Sequence, residues 1–79
     1  MIDTISYGEI AACYEYAEEV IVYSAEKGLD ITGPAGAKYA ILQYDNDCSS
    51  FESEYEYPIT DYLETIIDVM GLLLEEYSI

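Results

Sequence analysis

FESEYEY, residues 51–57, places Phe51, Ser53, Tyr55 and Tyr57 in one register and Glu52, Glu54 and Glu56 in the other. Strict alternation predicts a β-strand, because successive side chains point to opposite faces of the pleat. On that reading the three glutamates project from one face at intervals of about 6.8 Å, twice the rise per residue. They repel one another, and no lysine or arginine lies within the stretch to relieve them. Folding alone does not select such a row, so it points to a role outside the fold.

Upstream, DNDCSS (45–50) is rich in turn-forming residues. KYAILQY (38–44) and LDIT (29–32) read as two further strands, joined across GPAG (33–36), where Pro34 presets the backbone for a tight reversal. Nearer the N-terminus, SYGE (6–9) fits a capping box, and Ile5 and Ile10 take the positions of a hydrophobic staple. The spacing predicts a helix from Tyr7 to about Lys27, closed by the pair Lys27 and Gly28. Its buried stripe is Ile10, Cys13, Ala17, Val20, Ile21 and Ser24, and Glu15, Glu18, Glu19 and Glu26 face outward. A closing helix starts at Pro58 or Thr60. Ile59, Leu63, Ile66, Met70, Leu73, Leu74 and Tyr77 follow one of its faces, and Asp61, Glu64, Asp68 and Glu75 the other. Those four acids span about 21 Å at 1.5 Å per residue. The expected architecture is α+β: one small α-β-β-β-α domain whose short antiparallel sheet packs with two helices.

The chain has 79 residues, enough for one domain, and 52% of them are apolar, enough to build a core in spite of the charge. Seventeen acidic residues stand against Lys27 and Lys38, with no arginine or histidine, for a net charge of -15. Direct binding to nucleic acid or to an anionic membrane is excluded, since phosphate contacts need lysine or arginine. MIDTISYGEI (1–10) lacks a basic segment followed by an apolar run, so the cytoplasm is the expected compartment. Cys13 and Cys48 are expected as free thiols, the first in the core and the second in a loop. Catalysis finds no histidine, no glycine-rich phosphate loop and no nucleophile beside a base, so the protein is read as non-enzymatic and without a cofactor. Asp45, Asp47, Ser49 and Glu56 match four ligand positions of a calcium-binding EF-hand loop, but Ser50 stands where that loop needs glycine, and no metal is expected.

A solvated acidic surface is the ordinary explanation of a charge run. Here the lysine partners that usually accompany exposed glutamates at four-residue spacing are missing. The functional reading is that the rows imitate duplex phosphates, which carry one charge per about 1.7 Å of axis. The candidate partner-binding residues are Glu15, Glu18, Glu19 and Glu26, then Glu52, Glu54 and Glu56, then Asp61, Glu64, Asp68 and Glu75. Halophilic adaptation also enriches acids, but ten tyrosines and long aliphatic runs fit it less well. Tyrosine suits interfaces and stacks under arginine. Tyr16 and Tyr23 are expected on the exposed side near the first acidic row, and Tyr55 and Tyr57 toward the helices.

Small size, extreme acidity and scarcity of basic residues resemble the DNA-mimic inhibitors that phages use against bacterial immunity, anti-CRISPR and antirestriction proteins among them. IAACYEYAEEV (10–20) is similar to the acidic first helix, with its Ala-Ala-Cys step, of a type I-F anti-CRISPR. The likeness covers one helix and the order of elements. It implies that Glu15, Glu18, Glu19 and their counterparts on the closing helix bind basic residues that otherwise guide target DNA. The expected partner is a basic nucleic-acid-binding protein or complex of a bacterial host cell, a CRISPR-Cas effector or a restriction enzyme. The alternative is an acidic immunity protein or antitoxin that neutralises a basic nuclease toxin, and a third reading is an acidic scaffold subunit. Exposed tyrosines leave a homodimer open.

Overall fold

A computed structural model describes residues 6–77, except for the side chain of Tyr77. Ile5 of the expected staple lies outside the described residues, as does the Tyr77 side chain assigned to the apolar face of the closing helix. Among the described residues there are four helices and no strand: α1 (Tyr7–Lys27), α2 (Pro34–Asp47), α3 (Phe51–Tyr55) and α4 (Ile59–Tyr77). The α+β expectation is therefore overturned, and the domain is a small helical bundle.

The two long helices form where their end signals stand. The Ser6 hydroxyl accepts from the Glu9 N–H at 3.2 Å, and the Ser6 N–H donates to Glu9 Oε1 at 2.8 Å, which completes the capping box. Gly28 closes α1 in the left-handed region at φ 73° and donates its N–H to the Ser24 carbonyl. Pro58 directly precedes α4 and accepts from the Asp61 N–H at 3.1 Å.

The three expected strands each gave way for a local reason. Residues 29–32 are a loop: the Asp30 carboxylate accepts from the Thr32 N–H at 3.1 Å and from its hydroxyl at 2.7 Å, which lowers the Asp30 pKa. KYAILQY lies inside α2. Pro34 takes the first helical position, where its missing N–H costs nothing and its fixed φ already suits a helix, so the residue read as a turn former starts α2 instead. Ala37, Ala40, Ile41 and Tyr44 then fall on one face, with the first three buried. The first five residues of FESEYEY form the short helix α3, and Glu56 and Tyr57 lie beyond it. The Ser50 hydroxyl caps it by accepting from the Ser53 N–H at 3.3 Å, and the Phe51 N–H donates to Asp45 Oδ1 at 2.9 Å, a tie to the end of α2 that alternation does not reveal. Glu56 ends α3 in the left-handed region at φ 65°, and its N–H donates to the Glu52 carbonyl.

The core gathers Cys13, Tyr16, Ala17 and Val20 of α1, Ala37, Ala40 and Ile41 of α2, Phe51 of α3, and Ile66, Val69, Met70 and Leu73 of α4. α1 lies centrally and packs most extensively on α4. Tyr16 and Tyr23, expected to be exposed, are both buried. Their rings enter the core while their hydroxyls reach its edge, as buried tyrosines require. The Phe51 ring sits 5.0 Å from Tyr16, 5.1 Å from Tyr55 and 5.8 Å from Tyr62, measured between centroids, so the five-residue helix is held by an aromatic cluster.

Candidate functional site

At about 100° per residue, Glu15, Glu18, Glu19 and Glu26 fall within about 100° of one another around α1. Glu15, Glu18 and Glu26 are exposed and Glu19 is half-buried. Asp61, Glu64, Asp68 and Glu75 fall within about 60° around α4, and all four are exposed. The helical periodicity that buries one face of each helix thus lays out a carboxylate stripe on the opposite one. Glu52, Glu54 and Glu56 are exposed but do not form the expected row. In α3, Glu52 and Glu54 point about 200° apart, and Glu56 lies beyond the helix in its left-handed cap.

With so few cations, it is tyrosine hydroxyls that donate to carboxylates of α1 and α2. Tyr44 donates to Glu19 Oε1 at 2.8 Å, Tyr55 to Glu15 Oε1 at 3.2 Å, Tyr23 to Asp47 Oδ2 at 3.4 Å, and Tyr62 to Glu9 Oε2. Tyr16 donates to the Ser49 carbonyl at 2.7 Å, with Asp45 Oδ1 a longer second acceptor at 3.3 Å. Each bond joins α1 to another part of the chain: α2, the loop after it, α3 or α4. Glu15 and Glu19 therefore each commit one oxygen to the fold while standing in the α1 stripe. The acceptor roles of Glu9, Asp45 and Asp47 were not legible from spacing. The available signal was compositional: ten hydroxyl-bearing rings in a chain with two lysines and no arginine.

These tyrosines hold their protons tightly. Burial, followed by the nearby carboxylates, raises the pKa of Tyr16, Tyr23, Tyr44 and Tyr55. Tyr62 is pushed up to about 12, chiefly by its bond to Glu9, and Glu9 in turn is lowered by that bond and by the bonds to Ser6. At neutral pH all five are donors.

The tyrosines that do face solvent are Tyr7, Tyr14 and Tyr39. Two aliphatic residues interrupt the carboxylate stripes, Val22 on α1 at 59% exposure and Leu72 on α4 at 54%. Beside Val22, a groove between α1 and the end of α2 is lined by Glu18, Glu19, Val22, Tyr23, Glu26, Tyr44 and Cys48. A second groove runs between the start of α2 and α4, past Ile31, Pro34, Ala37, Ile67, Asp68, Gly71, Leu74 and Glu75. Cys48 caps α2 and is exposed, whereas Cys13 is buried, which pushes its thiol up to about 11. Among the described residues no group of three or more cysteines and acids is placed to hold a metal ion, and no helix is long and apolar enough to cross a membrane. The Asp45 carboxylate, first in the EF-hand spacing, is turned to Phe51 and Tyr16 instead of a loop centre. Comparison with family models, curated proteins and solved structures returns no match, so the reading of this surface rests on its residues alone.

Proposed function

We propose that the protein is a non-enzymatic inhibitor that occupies the basic nucleic-acid-binding cleft of a bacterial defence complex, a CRISPR-Cas effector or a restriction enzyme, by presenting carboxylates where the cleft takes duplex phosphates. The observation that carries this reading is the pair of carboxylate stripes on α1 and α4, in a chain where no described carboxylate is buried. Such clefts hold nucleic acid largely through lysine and arginine on phosphate, a contact that carries no sequence information and that any suitably spaced anion can make. The scale is appropriate. The longest dimension of the protein is 33 Å, close to one turn of B-DNA at about 34 Å. Over that length a duplex carries about 20 charges, at one per about 1.7 Å, against a net -15 here. The tyrosine bonds between α1 and its neighbours support the reading further, because they fix the helix that carries one stripe before any partner arrives, and pre-ordering lowers the cost of binding.

A second reading is favoured by the corner at residues 54–57. There Glu54 and Glu56 alternate with Tyr55 and Tyr57 around the end of α3, a compact patch of acid and aromatic surface in place of an extended row. A patch of that size suits one enzyme partner, as for an immunity protein or antitoxin set against a basic nuclease.

Capture separates the two. Protein immobilised at low salt is exposed to bacterial lysate, the column is eluted with duplex DNA, and the eluate is identified by mass spectrometry. Release of a defence effector or restriction enzyme is the expected result. A single nuclease toxin that DNA fails to displace favours the second reading, and the absence of any DNA-displaceable partner sinks the first.

A further inference from the structure

The groove between α1 and the end of α2 brings two kinds of side chain together: Val22, Tyr23, Tyr44 and Cys48 line it alongside Glu18, Glu19 and Glu26. The groove is shallow and open to solvent, with a volume of about 460 Å³. Glu18 lies four residues before Val22 and Glu26 four after, so an exposed aliphatic side chain stands between two carboxylates on one helix face. A stripe built only for solvation gains nothing from a valine there. The rings nearby also attract positive charge: the chain's own Lys27 places Nζ 5.9 Å from the centre of the Tyr23 ring.

We propose that this groove seats one arginine side chain of the protein partner. Its methylene stem lies on Val22, its guanidinium plane rests against the half-buried Tyr44 ring, and its N–H groups donate to the carboxylates of Glu18 and Glu26. Glu19 contributes charge with the oxygen that Tyr44 leaves open. Arginine fits better than lysine because its head is flat, stacks on aromatic faces and sheds water more readily than an ammonium. A desolvated arginine on an aromatic and aliphatic surface is the usual composition of an interface hot spot. The inference deepens the function proposed above and rests on it for the basic character of the partner.

Cys48 makes the groove directly observable. It lines the groove and is exposed while Cys13 is fully buried, so a maleimide reports on Cys48 alone. The probes are an oligoarginine and an oligolysine peptide of equal length, added at equal concentration while the alkylation rate of Cys48 is followed. The oligoarginine is expected to slow alkylation about fivefold or more, and the oligolysine by less than about twofold. In the Val22→Ser variant, which keeps every charge and alters an exposed position, the arginine-specific protection disappears, while helicity by circular dichroism is maintained. Equal protection by both peptides, or protection that survives Val22→Ser, overturns the proposal, since either result is plain charge attraction.

The outcome separates from that of the function. If Cys48 is protected as described and no DNA-displaceable partner exists, the duplex-mimic reading fails alone. If such a partner is captured and holds Val22→Ser as tightly as the parent, the arginine seat fails alone.

Discussion

A Cβ on Gly36 would stand 2.1 Å from the carbonyl oxygen of Asp30, closer than any real contact of its kind. The first turn of α2 can lie against the 29–32 loop only because residue 36 has no side chain. Gly36→Ala is expected to cost about 2–4 kcal/mol in urea unfolding, since the loop or the helix must move; a change near zero would mean the two segments are not in contact. Glu56 presents the opposite case, a residue with a side chain in the left-handed region at φ 65°, where glycine is at ease. Glu56→Gly should therefore stabilise the fold by about 1 kcal/mol, and a loss in the same assay would show that the Glu56 side chain does more than end α3.

At the scale of elements, α1 is fastened to its neighbours by tyrosine hydroxyls that must keep their protons in order to donate. The folded-state pKa values are raised above the unfolded value of about 10, so the folded protein retains protons that the unfolded chain releases. Stability from these bonds is complete below about pH 10 and is lost as the pH rises through the folded values, about 12 for Tyr62. Helicity followed by circular dichroism should collapse in that window together with a rise in tyrosinate absorbance, and helicity that outlasts full ionisation would contradict the fastening role. The long helices were legible in the sequence because their caps and periods agree: Ser6 with Glu9 and Gly28 for α1, and a steady acid face against an apolar one for α4. The two shorter helices were not. FESEYEY satisfies a period of two throughout, yet its Phe51 and Tyr55 also stand one helical turn apart, and five to seven residues do not separate the two periods. What decides between them is tertiary: the Asp45 carboxylate on the Phe51 N–H and the ring cluster around Phe51. The carboxylate stripes of α1 and α4 were legible for the same reason as their helices, and the row at 52–56 dissolved with its strand. The tyrosine acceptors escaped notice because each bond closes between residues 24 to 53 positions apart.

For the whole molecule, a net charge of -15 on a body with a radius of gyration of 11.8 Å means that every described element repels the others. Raising the ionic strength shortens the screening length from about 30 Å at 0.01 M to about 3 Å at 1 M, so the melting temperature should climb with salt. A flat or falling melting temperature would show that the acids are already neutralised within the fold. Salt has the reverse effect on the proposed complex, where screening weakens the attraction between the carboxylate stripes and the cleft's lysines and arginines. One preparation should thus become more stable and bind less tightly along the same titration, a combination that a merely solvated acidic surface does not produce. The most direct test of the duplex-mimic account is equilibrium competition on the captured effector, with labelled duplex DNA bound to it and this protein titrated in. The account predicts complete displacement of the duplex, with an apparent affinity that falls as DNA concentration rises; a ternary complex in which protein and duplex are held together would contradict it.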